Sequence, residues 1–166
     1  MKVFKDAVRE ELVTRILSEL LVDQNQYGWR SSQACWNKEL RKGIVGNTNA
    51  LRIEGELFDE LFTELQPHLP GAKEVVMQLY VWGPLSGIAM HNDWFHAWGA
   101  TLYLNKTWDP DYGGLFIWRD RESQELRVQL PEYATLVLND NREYHMVTPV
   151  STCAEDDRVT IQIWGK

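Results

Sequence analysis

The sequence predicts a mainly β protein, a double-sheet jelly roll supported by two or more α-helices on its N-terminal side. Three observations carry that expectation. From Lys73 onward, short β-type runs alternate with turn residues at the spacing of a sandwich or barrel. Before Lys73 the apolar residues recur at three and four, the period of a helix face. The late strands also divide into one all-apolar face and one mixed polar and aromatic face, as a roll around a wet interior requires.

In chain order, the stretch from Phe4 to Val22 places Leu12, Ile16, Leu17, Leu20 and Leu21 on one side of a first helix. Asp23 to Asn49 is polar and carries Gly28, Gly43 and Gly46, so it reads as an irregular connection with at most a short strand or helix, and as a candidate lid. A second helix is expected from Glu56 to about Gln66, with Leu57, Phe58, Leu61, Phe62 and Leu65 inward. Pro67 and the Pro70-Gly71 pair stop it.

Eight strands follow: Glu74 to Trp82, Gly87 to His91, Ala97 to Asn105, Gly114 to Trp118, Glu125 to Leu130, Ala134 to Asn139, Tyr144 to Val150 and Arg158 to Trp164. Eight is the strand number of a double-sheet jelly roll. In the last strand Val159, Ile161 and Ile163 fall on one face, and Arg158, Thr160, Gln162 and Trp164 on the other. The third divides likewise, Ala100, Leu102 and Leu104 against Thr101, Tyr103 and Asn105. The apolar faces are expected under the helices and the mixed faces around a pocket. We expect one domain over 1–166, with 1–72 as helical support and lid and 73–166 as a catalytic core.

Composition narrows the function. The 166 residues are 44% hydrophobic and 25% charged, a globular profile, with a net charge of -7 and eight Trp. That charge argues against nucleic acid or an anionic membrane as partner, since both repel it. No apolar run approaches the roughly 18 residues of a membrane span, and the N-terminus reads as a helix rather than a signal peptide. Two cysteines, Cys35 and Cys153, without paired spacing, offer neither a disulfide framework nor a zinc ribbon, so a cytoplasmic location is expected.

The chemistry gathers around three histidine and carboxylate positions. His91 and Asp93, two apart at a strand end, can reach one ion from the same face, although the pair alone also fits a surface turn. His145 opens the seventh strand, and the turn Asn139-Asp140-Asn141-Arg142 before it can bring it alongside. Two His and one carboxylate on one side of an octahedral ion are the ligands of non-haem Fe(II) oxygenases. Arg158, on an interior face, is a planar cation whose natural partner is a carboxylate. Tyr103 could share that carboxylate, or be a core aromatic with its hydroxyl satisfied.

With these residues in place, Val75 to Trp164 resembles the iron- and 2-oxoglutarate-dependent dioxygenases of the prolyl 4-hydroxylase type, and more closely their hypoxia-inducible-factor prolyl hydroxylase branch. The matching pieces are Gln78-Leu79-Tyr80, His91-Asn92-Asp93, Leu102-Tyr103-Leu104-Asn105-Lys106 with Trp108, Gly113-Gly114-Leu115, His145, and Arg158 through Trp164. The resemblance implies a double-stranded β-helix, a cupin-like jelly roll. It implies Fe(II) held by His91, Asp93 and His145, and 2-oxoglutarate held by Arg158 with Tyr103 and Tyr80. O2 would be consumed, succinate and CO2 released, and ascorbate would serve as accessory reductant. Asp93 favours hydroxylation, because halogenating relatives lack this carboxylate.

The sequence departs from that pattern in its loops. Only Trp94 to Trp98 separate Asp93 from Gly99, a short loop where the hypoxia branch closes over peptides, and Thr152 to Asp157 lengthens the approach to Arg158. Candidate substrate contacts are Gln78, Trp94, His96, Trp118, Gln162 and Trp164. His96 is read as a non-ligand because the triad is already complete. Gly113-Gly114 is read as a tight turn without chemistry. The expected substrate is an amino acid, a peptidyl residue or a related small molecule. Competing readings are a cupin-like metalloenzyme without a keto acid, which has no use for Arg158, and a non-catalytic jelly-roll binding module, which needs neither metal nor Arg158.

Overall fold

A computed structural model describes residues 1–21, 28–31 and 36–166. Cys35 and parts of the 23–49 connection lie outside the described residues. In chain order the elements are β1 (Lys2–Phe4), α1 (Glu10–Leu20), β2 (Arg30–Ser31), α2 (Lys38–Arg41), β3 (Ile44–Val45), β4 (Thr48–Arg52) and α3 (Gly55–Leu65). They continue with β5 (Val75–Trp82), β6 (Gly87–His91), β7 (Trp98–Tyr103), β8 (Phe116–Arg119), β9 (Leu126–Gln129), β10 (Leu136–Asp140), β11 (His145–Val147) and β12 (Arg158–Gly165).

Two antiparallel sheets face each other. The major sheet runs β1-β10-β7-β12-β5-β4-β2 and the minor sheet β3-β6-β11-β8-β9. The eight strands expected from the sequence correspond to β5 through β12, so the jelly roll is present. Two expectations need correction. The 23–49 connection is more ordered than a loop, because its described parts hold β2, the one-turn α2, β3 and the start of β4. The first helix begins at Glu10 rather than near Phe4, since Lys2 to Phe4 pair with Leu138 to Leu136 as an edge strand.

The strands' alternation sorts the side chains as expected. Ala100, Leu102, Val159, Ile161 and Ile163 share a buried cluster with Leu12, Val13 and Ile16 of α1 and Leu57, Leu61 and Leu65 of α3. Each such Leu or Ile contributes about 1.5–3 kcal/mol through burial. Glu10 and Glu11 in the first turn of α1 favour its positive end, and Arg15 ties α1 to α3 through Glu60 at 2.6 Å. Pro67 ends α3 in a single 3-10 turn.

The other face of the major sheet looks at the minor sheet across a second cluster holding Tyr80, Trp82, Tyr103, Phe116, Val137 and Val147. One irregularity matters there. His145 pairs with His91 but Val147 pairs with Ile88, so β6 carries two residues where β11 carries one. This β-bulge turns both Ile88 and His91 inward. Among the described residues no helix is long and apolar enough to cross a membrane.

Candidate active site

His91 ends β6, His145 begins β11, and the pairing of these strands sets the two imidazoles side by side with ring centroids 4.4 Å apart. Asp93 arrives two residues after His91. One ligand atom from each of the three lies within 4.8 Å of the others, and His145 Nε2 is 3.7 Å from Asp93 Oδ2. His91 Nδ1–H donates to the Ala89 carbonyl at 2.8 Å, and His145 Nδ1–H to the Glu143 carbonyl at 3.0 Å. Both Nε2 atoms are thereby left unprotonated, the tautomer a metal needs. Burial, and then the neighbouring His145, hold His91 down at about 4, so it is neutral at pH 7.

Two residues fix the carboxylate. Asn139 Nδ2 donates to Asp93 Oδ2 at 3.4 Å. Gly99, paired with Asn139 across β7 and β10, leaves the space: a Cβ there would lie 2.7 Å from Asp93 Oδ2. The donor set, two imidazoles and one carboxylate on one side, fits an octahedral Fe(II) with adjacent positions open.

Arg158 opens β12. Asn105 grips the chain on both sides of it, accepting from Val159 N at 2.7 Å and donating to the Asp157 carbonyl at 2.9 Å. The guanidinium is fully buried, 5.4 Å from the Trp82 ring centroid and 5.3 Å from that of Tyr103. Its Nε, Nη1 and Nη2 have no hydrogen-bond partner among the described residues, and neither does the Tyr103 hydroxyl. Burial pushes Tyr103 up to about 12, so it stays a neutral donor. A buried cation and a buried hydroxyl without partners are costly, and a carboxylate satisfies both at once. Gly114 is more than a turn here, because a Cβ on it would come within 2.7 Å of Arg158 Cδ.

Beside the triad lies a cavity of about 430 Å³, which neither Arg158 nor Tyr103 lines; Trp82, whose ring lies against the guanidinium, does. The three triad residues line it, as do Tyr80, Gln78, His96, Gln162 and Trp164. Trp94 and Trp118 do not. Trp94 is 62% exposed with its ring 3.8 Å from that of Phe95, in a turn where strand alternation has no force. Trp118 stands opposite His145, but the imidazole lies against Phe116, at 5.1 Å, and Phe116 forms the wall. Cys153 is exposed and free.

Other wall residues escape a sequence reading. Phe116 shares a face with Trp118, so alternation could have found it, and register could have found Asn139, which stands opposite Gly99 and supports Asp93 from behind the wall. Trp36, Asn37 and Leu40 reach the cavity from the polar connection, and Arg52 from β4. Nothing in their spacing announces it.

The profile of the 2OG-Fe(II) oxygenase superfamily matches residues 77–166. No curated protein matches the chain in sequence. Among solved structures, a Pseudomonas putida prolyl-4-hydroxylase is similar with a TM-score of 0.75 at 18% identity, over 99% of this chain and 91% of that one. A Trichoplax adhaerens prolyl hydroxylase in complex with a hypoxia inducible factor oxygen degradation domain peptide fragment gives 0.80 at 16%, over 99% and 82%. A viral collagen prolyl hydroxylase from Paramecium Bursaria Chlorella virus-1, as a 2OG complex, gives 0.62 at 11%, over 98% and 93%. At such identities the likeness is one of fold. The family assignment rests on the matched half of the chain, which contains all three triad residues and Arg158: the protein belongs to the 2OG-Fe(II) oxygenase superfamily and is a 2-oxoglutarate-dependent dioxygenase.

Proposed function

We propose that the protein hydroxylates a C–H bond of an amino acid, a prolyl-type peptidyl residue or a related small molecule. Bound Fe(II), with 2-oxoglutarate and O2, supplies the oxidising power: one oxygen atom enters the substrate and the other enters succinate as CO2 leaves. The chain's own residues do the rest. His91, Asp93 and His145 hold the metal on one side, and Asn139 keeps Asp93 turned toward it. Arg158 and Tyr103 receive the distal carboxylate of the cosubstrate, with Tyr80 lining the cavity. Trp82, fixed by donating to Thr160 Oγ1 at 3.2 Å, covers the guanidinium at that end, and Phe116 shields His145 at the other.

The observation that carries this reading is the buried, unpartnered Arg158 guanidinium. A metalloenzyme without a keto acid would gain nothing from it. The fold likeness to prolyl hydroxylases supports hydroxylation as the outcome. Anaerobic addition of Fe(II) and 2-oxoglutarate is expected to give a weak visible charge-transfer band, absent in His91→Ala. In Arg158→Ala the band should require at least tenfold more 2-oxoglutarate, about 1.4 kcal/mol of lost binding. A wild-type protein that binds the metal but gives no band and forms no succinate refutes the assignment.

A further inference from the structure

The metal triad and the aromatic residues near Arg158 account for two walls of the cavity. A third wall has no role yet. Arg52, Gln78, Gln162 and Thr101 stand in one row across β4, β5, β12 and β7: Arg52 pairs with Gln78, Gln78 with Gln162, and Gln162 with Thr101. Directly opposite residues share a face. Lys166 follows the end of β12, and all five line the cavity.

The direction of the hydrogen bonds decides what this row offers. An indole only donates, and Trp36 Nε1–H donates to the Tyr80 hydroxyl at 2.6 Å. Tyr80 therefore turns its own hydrogen to Gln78 Oε1, 2.8 Å away. The Gln78 carbonyl already accepts one hydrogen bond, which fixes the amide's orientation, and its NH2 group is the donor it offers a ligand. Thr101 does the same to Gln162, donating to Oε1 at 3.1 Å.

The wall thus presents two amide donors, with a guanidinium and an ammonium at the rim. Among the described residues no acidic side chain other than Asp93 lines the cavity, in a chain of net charge -7. Arg52 is paired with Glu54 at 3.0 Å and Lys166 with Glu74 at 3.5 Å, all four being about half exposed or more. Pairs so exposed hold weakly, so each cation can turn to an incoming anion. The complement of such a wall is a negatively charged, acceptor-rich group.

We propose, resting on the hydroxylase reading above, that the prime substrate carries a free carboxylate. Arg52 and Lys166 receive it at the rim, and the NH2 groups of Gln78 and Gln162 donate to the substrate's oxygens further in. Trp164, whose ring lies 5.5 Å from that of His96, packs against the apolar body. A free amino acid or the last residue of a peptide meets this requirement. A residue inside a peptide does not, because its carboxyl is an amide.

The test offers N-acetylated amino acids as free acids and as primary amides, with Fe(II) and saturating 2-oxoglutarate. Binding is read anaerobically from the charge-transfer band, and turnover from succinate. At least one acid should act about tenfold or more better than its amide, the scale of a charge-assisted hydrogen bond. Arg52→Gln/Lys166→Gln should erase that preference, while half-saturation by 2-oxoglutarate moves less than about twofold. Gln78→Glu should weaken both, and the acid at least about tenfold more than the amide, because it removes a donor that both use and sets a negative charge beside Arg52. Dipeptides ending in the same residue separate a free acid from a chain end.

Equal response to acids and amides, or to none of the acids, overturns the proposal. So does a double variant that keeps the preference, or one that loses 2-oxoglutarate as strongly as the acid, which would give the row to the cosubstrate. Absence of the band in the wild type would instead strike the hydroxylase reading.

Discussion

The two faces of the major sheet are made by the same strands and spend their side chains in opposite ways. On the outer face Val159, Ile161 and Ile163 meet α1 and α3 with no polar atom to satisfy. On the inner face the alternate residues of the same strand are Arg158, Thr160, Gln162 and Trp164, and Arg158 is buried with three unpartnered nitrogens. The outer face stabilises the protein. The inner face holds groups that destabilise it until ligands arrive, and the strength of the outer packing is what lets the strand keep them.

The largest test of that division compares two substitutions three residues apart. Ile161→Ala on the outer face should cost about 2–5 kcal/mol, read by denaturant melts, with the charge-transfer band retained in the folded fraction. Arg158→Met on the inner face should leave the protein without ligands equally stable or raise it by about 1–4 kcal/mol, and abolish 2-oxoglutarate binding. A destabilised Arg158→Met protein would mean that the arginine is structural.

Acidity probes the sheet across the cavity from that inner face, where His91 ends β6. His91 is held at about 4, below its ordinary 6.5, so the folded metal-free protein takes up a proton less readily than the unfolded chain. The stability gained from this is present above pH 6.5 and is lost as pH falls toward 4. Up to about 3 kcal/mol should disappear across that window in chelator, and His91→Gln should flatten the curve. A wild-type curve already flat between pH 6.5 and 4 would exclude this origin.

The smallest effect is the most local. Gly99→Ala should weaken Fe(II) binding about 10- to 100-fold by crowding Asp93, as changes beside a metal ligand do, and shift the melt little. Unchanged affinity by metal titration would show that Asp93 has room to move.

Legibility in the sequence follows the same division. The faces of β7 and β12 could be read residue by residue, because a period of two along a buried strand leaves no choice about where Ile161 or Arg158 points. The His91, Asp93, His145 and Arg158 order was equally visible. β4 was not: Thr48-Asn49-Ala50-Leu51-Arg52 is half polar, and it becomes a strand only because β5 offers an edge to pair with. That hid Arg52, and with it the cationic rim. Trp94 was misplaced for a related reason, since side chains in a turn have no alternation to orient them.

The surplus residue of β6 bears on how such a site changes over generations. Ile88 and His91 are three apart, and the bulge at Ala89 and Met90 is what lets both face inward. A strand with one residue too many can lose it, become regular, and still aim its histidine at the metal. β11 has a single residue between His145 and Val147 and none to lose. A one-residue deletion is therefore expected to spare the histidine on β6 and to turn His145 or Val147 outward on β11, so two ligands that look equivalent at the metal differ in the backbone change each can absorb.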